Sequence, residues 1–71
     1  MRGSEFIRRV QKYAKRNGIA FGWRADLGKG SHGVLTLGAA RTVVRNPKDE
    51  LKTGTYRAML KQLGIAERDL A

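Results

Sequence analysis

Gly28, Lys29, Gly30, Ser31, His32 and Gly33 bring a titrating ring, a hydroxyl, a cation and permissive backbone together within consecutive positions. A phosphodiester with its own internal nucleophile needs little more. In RNA each 2′-hydroxyl lies beside the next phosphorus, so a catalyst has to remove one proton, protonate a leaving oxygen and stabilise charge on the phosphorane. Histidine is the side chain whose ordinary pKa lies nearest neutrality. Lys29 and the N–H groups among the glycines can meet a phosphate without a Cβ in the way. The bland alternative is that His32 occupies a strand end and that Gly28 and Gly30 merely serve a turn.

Other chemistries fit less well. The segment is not a nucleotide-binding P-loop: Gly22 lies one position too far from Gly28, and Gly30 stands where a magnesium-binding Ser or Thr belongs. Asp49 with Glu50, and Glu67 with Asp69, fall in a polar loop and a tail and read as solvated or partner-facing groups rather than an acid/base pair. Trp23 and Tyr13 fall on apolar patterns and read as core rather than as stacking platforms. Arg24, Arg41 and Arg45 stand at strand ends near His32, where fixed guanidinium donors suit phosphate recognition.

The chain of 71 residues allows one small domain, 1–71, and a core too small for a deep cofactor pocket. With no cysteine and a single histidine, disulfides, thiolate chemistry and ordinary metal clusters are poor expectations, and no cofactor is implied. No apolar stretch approaches the length of a membrane span, and the first residues lack the apolar core of a signal peptide. The expected setting is therefore soluble and cytoplasmic, with no membrane partner. Fifteen Lys and Arg against six Asp and Glu leave a formal charge of +9, which makes nucleic acid the leading partner class. The charge is uneven: residues 1–45 hold ten cations and two acids, whereas 46–71 hold five and four.

The elements that must position these groups follow from periodicity. Over residues 4–17, Phe6, Ile7, Val10, Tyr13 and Ala14 recur at helical spacing among Arg8, Arg9, Lys12, Lys15 and Arg16, with Ser4 as the expected N-cap and Asn17-Gly18 as the stop. The five cations are equally consistent with a solvated face and with phosphate contact. Strands are expected over 19–24, 31–37 and 41–45, with a loop over 25–30 and a tight hairpin at 38–40. If Leu35 and Leu37 face the core, alternation puts His32, Val34 and Thr36 on the other side. A loop over 48–53 precedes a second helix over 55–63, capped by Thr53 or Thr55 and closed by Gly64-Ile65. The expected fold is α+β in the order α-β-β-β-α, both helices on one face of a three-stranded antiparallel sheet. Phe6, Val10, Trp23, Leu35, Leu37, Met59, Leu60 and Leu63 form the expected core, and the opposite face stays open.

Gly30-Ser31-His32, followed by Glu50-Leu51, Gly54-Thr55 and the run Arg57-Ala58-Met59-Leu60-Lys61-Gln62-Leu63-Gly64-Ile65, resembles the HicA-type toxins of toxin–antitoxin pairs. The resemblance covers nearly the whole chain. It implies a double-stranded-RNA-binding-domain-like fold, ribonuclease activity on messenger RNA, and inhibition by a HicB-type antitoxin covering the active face. By position it implies His32 as the catalytic residue, with Gly30 and Ser31 shaping the strand entry. Lys29, Arg24, Arg41 and Arg45 complete the expected RNA-binding set. Val44 and Asn46 stand where many members carry proline and a second histidine, which leaves no two-histidine mechanism within one chain. The competing reading is a non-catalytic RNA-binding module of the same fold, recognising A-form geometry through phosphates and 2′-hydroxyls.

Overall fold

The computed structural model describes residues 1–25 and 32–70. Two helices, α1 (Gly3–Asn17) and α2 (Thr53–Leu63), flank a sheet of β1 (Phe21–Arg24), β2 (Gly33–Leu37) and β3 (Ala40–Val44), and a 3₁₀ turn at Glu67–Leu70 follows. This is the α-β-β-β-α order expected from periodicity. The sheet runs β1-β2-β3 and is antiparallel throughout, with Trp23 opposite Leu35 and Leu35 opposite Thr42. Helix α1 lies over β1 and β2, and α2 over β3.

One face of each element is apolar, and these faces meet. Phe6, Val10 and Ala14 from α1 join Leu35, Leu37 and Val44 from the sheet and Met59, Leu60 and Leu63 from α2. Phe6 also meets the Tyr56 ring edge-on, centroids 5.9 Å apart, a favoured aromatic geometry. Trp23 packs against this core but is only half-buried, because β1 is an edge strand. Among the described residues Thr42, 3 % exposed, is the buried polar one. Its hydroxyl donates to Gln62 Oε1 at 2.5 Å, which satisfies the group and ties β3 to α2.

The helix stops are those the sequence announces. Gly18 (φ 65°) and Gly64 (φ 71°) adopt the left-handed conformation that glycine tolerates. Ile19 N–H then returns to the Ala14 carbonyl, and Ile65 N–H to that of Leu60, the Schellman pattern. The first strand starts later than expected because Ile19 is spent on this closure.

The helix starts differ. Ser4 is not an N-cap, and neither Thr53 nor Thr55 caps α2; the capping positions are Arg2 and Lys52, without side-chain cap bonds. At α1 the free amides find backbone instead: Gly3 N–H donates to the Asp49 carbonyl and Ser4 N–H to that of Pro47. Close docking of that loop needs the glycine, since a Cβ on Gly3 would stand 3.0 Å from Pro47 Cα and from Val44 Cγ1. Residues 48–53, expected as plain loop, also pair with the N-terminus through an Arg2–Glu50 bridge.

The tail contributes more than an added turn. Leu70 is 4 % exposed and belongs to the core, and its carbonyl accepts from Arg9 Nη1 at 3.2 Å. Asp69 is not a solvated carboxylate: its Oδ2 accepts the Ala66 N–H at 2.8 Å and folds the turn. Leu70→Ala should therefore destabilise the protein by about 2 kcal/mol or more. Gly54→Ala should stabilise it by about 0.4–1 kcal/mol, because a Cβ there meets open space on an exposed helical position. Urea denaturation of the two variants against the parent chain checks both signs.

Candidate active site

Strand β2 alternates strictly: Gly33, Leu35 and Leu37 are buried, Val34 and Thr36 half-buried. Strand β3 does the same, with Thr42 and Val44 buried while Arg41 and Val43 are exposed. Since the helices cover the Leu35 side, the second set defines the open face of the sheet. Cross-strand partners share a face, so the register lays out rows upon it. Gly22, Thr36 and Arg41 form one row, and Arg24, Val34 and Val43 the next. Immediately beyond the last β2–β3 pair, Gly33 with Val44, lie His32 and Arg45.

His32 is thus the residue that leads into β2, in the outward phase of its alternation, and is half-buried. No hydrogen bond or ion pair engages its ring among the described residues. Arg45 is exposed and follows Val44, the partner of Gly33 in the last β2–β3 pair, so both residues flank the end of that ladder. Arg24 stands one row away, about 7 Å along the strand direction. Arg41 lies on the same face but two rows from His32, about 13 Å along the sheet, so the structure does not gather it at the histidine. Lys29, Gly30 and Ser31, with Gly28 and the rest of 26–31, lie outside the described residues.

Two features were not read from the sequence. Val43, 52 % exposed, is a large apolar side chain between Arg41 and Arg45 on the open face; the period-two pattern of residues 41–45 held that signal. The second is the packing beneath His32. A Cβ on Gly33 would collide with the Trp23 ring, so the indole lies directly against this glycine on the core side of the sheet. The absence of a side chain at Gly33 seats Trp23 and fixes the backbone that presents His32.

Asn46 is built into the loop after β3. Its Oδ1 accepts the Lys48 N–H at 3.0 Å and its carbonyl accepts the Asp49 N–H, also at 3.0 Å, an Asx-type turn. Among the described residues no group of three or more His, Asp or Glu gathers as metal ligands, and no helix is long and apolar enough to cross a membrane.

A family model described as the HicA toxin of bacterial toxin–antitoxin systems matches residues 19–65, from the approach to β1 to the closure of α2. The chain belongs to the HicA toxin family. No curated protein and no solved structure matches it. In this HicA family member the matched span holds the whole sheet, and with it His32, Arg24, Arg41 and Arg45; all of α1 lies before it. A toxin of this family implies a partner in a toxin–antitoxin pair.

Gly33→Ala should cost about 1–3 kcal/mol by driving the Trp23 ring off its seat. The same variant should blue- or red-shift the fluorescence of Trp23, the chain's one tryptophan. Unfolding followed by that emission checks both expectations.

Proposed function

We propose that this toxin is a metal-independent endoribonuclease acting on messenger RNA, with His32 as its catalytic residue. The observation that carries the reading is His32 at the entry to β2, in the outward phase of the sheet, without an internal partner among the described residues and with Arg45 beside it. Membership of a toxin family supports it, as does a charge of +9.

In the proposed reaction the neutral imidazole takes the proton of a ribose 2′-hydroxyl as that oxygen bonds to the adjacent phosphorus. The bond from phosphorus to the 5′-oxygen of the next nucleotide breaks, and the imidazolium returns its proton to that leaving oxygen. The products are a 2′,3′-cyclic phosphate and a free 5′-hydroxyl. Arg45, with Arg24 one row away, would hold the phosphate and offset the charge that grows on its oxygens. Lys29, Gly30 and Ser31 are proposed as further phosphate contacts from the segment before His32. Arg41, farther along the same face, would hold a phosphate away from the scissile one. A HicB-type antitoxin is the proposed inhibitor, seated on this open face, where the exposed Val43 offers an apolar contact amid arginines.

His32→Ala should lower RNA cleavage by about 10²–10⁴-fold and relieve growth arrest, with the circular-dichroism spectrum and melting temperature nearly unchanged. EDTA should have little effect on the wild type. Retained cleavage by the purified variant removes the histidine from its role. Intact labelled RNA at saturating wild-type protein supports the non-catalytic binding module instead.

A further inference from the structure

The helix layer carries a second concentration of charge that the cleavage reaction does not use. On α1, Phe6, Val10 and Ala14 face the core. Arg8, Lys12 and Lys15 lie on the side turned away from it, with Arg16 beside them, and all four are exposed. Arg9 is engaged, by Glu5 at 3.5 Å and by the Leu70 carbonyl. Arg8, Lys12, Lys15 and Arg16 have no hydrogen bond or ion pair among the described residues. They form a stripe about 12 Å long, with Arg8, Lys12 and Lys15 rising by about 6 and then about 4.5 Å along the axis and Arg16 one residue farther on.

We infer that this stripe is a second nucleic-acid contact, holding the phosphate backbone of RNA on the layer opposite His32. The chemistry favours phosphate over other anionic surfaces. A membrane-surface helix must bury its apolar face among lipids, but that of α1 is already buried in the protein core. A protein interface is built around aromatic or aliphatic anchors and is poor in lysine; the stripe has lysine and no apolar member. What remains is a row of exposed cations whose one acidic neighbour, Glu5, is taken up by Arg9, a surface suited to a polyanion. The inference rests on the reading that RNA is the substrate, and adds that anchoring and cleavage use different sides of the molecule. A partner covering the open sheet face leaves the stripe uncovered.

The test uses the full chain with His32→Ala to prevent cleavage, alone and combined with Arg8→Gln, Lys12→Gln and Lys15→Gln. Binding of a fluorescein-labelled RNA stem-loop is followed by anisotropy from about 50 to 200 mM KCl. Loss of three phosphate contacts should reduce the slope of log K against log salt by about 2–3, at roughly 0.7 per contact on a single strand and roughly 0.9 on a duplex, and weaken binding at least about tenfold at the lower salt. A charge-preserving variant, Arg8→Lys with Lys12→Arg and Lys15→Arg, should retain both, which separates charge from folding. An unchanged slope and affinity in the glutamine variant overturns the inference, as does an absence of salt-dependent RNA binding by the parent. Displacement of the RNA by poly-L-glutamate at equal charge concentration would reassign the stripe to acidic polypeptides and also overturn it. The proposed nuclease is judged separately: cleavage by His32→Ala removes that assignment and leaves the salt comparison intact.

Discussion

The period of two along β2 and β3 is the constraint on which the other features depend. Leu35, Leu37 and Val44 must all face the helices, and burying each contributes about 1.5–3 kcal/mol. A domain of this size has a net stability of only about 5–15 kcal/mol, so a register that exposed all three would not fold. The intervening residues are then committed to the other side. The arginines of β3 reach the open face because the valine and threonine between them are needed underneath, and His32 falls into the same phase one step before β2 begins. The position of His32, and of the chemistry proposed for it, is thus a by-product of core formation.

How much of this could be read beforehand depended on how local the cause was. Element order, both glycine stops and the two faces of the sheet were legible, because each rests on neighbouring residues. The helix starts were not: Ser4, Thr53 and Thr55 have the right side chains for caps, but the loop at Pro47 and Asp49 supplies carbonyls to α1 from more than forty positions away. Leu70 escaped notice because it stands alone beyond Gly64, outside any periodic run. The seat of Trp23 on Gly33 depends on strand pairing, which no spacing along a single strand announces. At the site, the sequence could place Arg24, Arg41 and Arg45 at strand ends near His32 but not in their separate rows, since distance along a sheet requires its register.

The two layers carry different kinds of positive charge. On the open face, the guanidinium groups are spread over strands and sit among half-buried neighbours, so each has a fixed row and a fixed distance from the histidine. On α1, Arg8, Lys12, Lys15 and Arg16 are long side chains on an exposed helical surface, while Arg9 is tied to Glu5 and Leu70. The first arrangement suits recognition at one bond; the second suits retention of a chain whose sequence does not matter. Helix α2 carries only Arg57 and Lys61, which matches the near-neutral balance of the last third of the chain.

The connection between β2 and β3 has a consequence for how this sheet can evolve. Leu37 pairs with Ala40, so the reversal is made by Gly38 and Ala39 alone, with Gly38 at φ 59° and no positive φ at Ala39, as in a type II′ turn. An extra amino acid taken up by the strand rather than by the turn would shift that strand by half a pleat, driving Arg41, Val43 and Arg45 under the helices and ejecting Thr42 and Val44 into water. Only an insertion that bulges outward leaves the two faces intact, so the way this two-residue reversal is closed governs the electrostatics of the open surface along with the identity of the charged side chains.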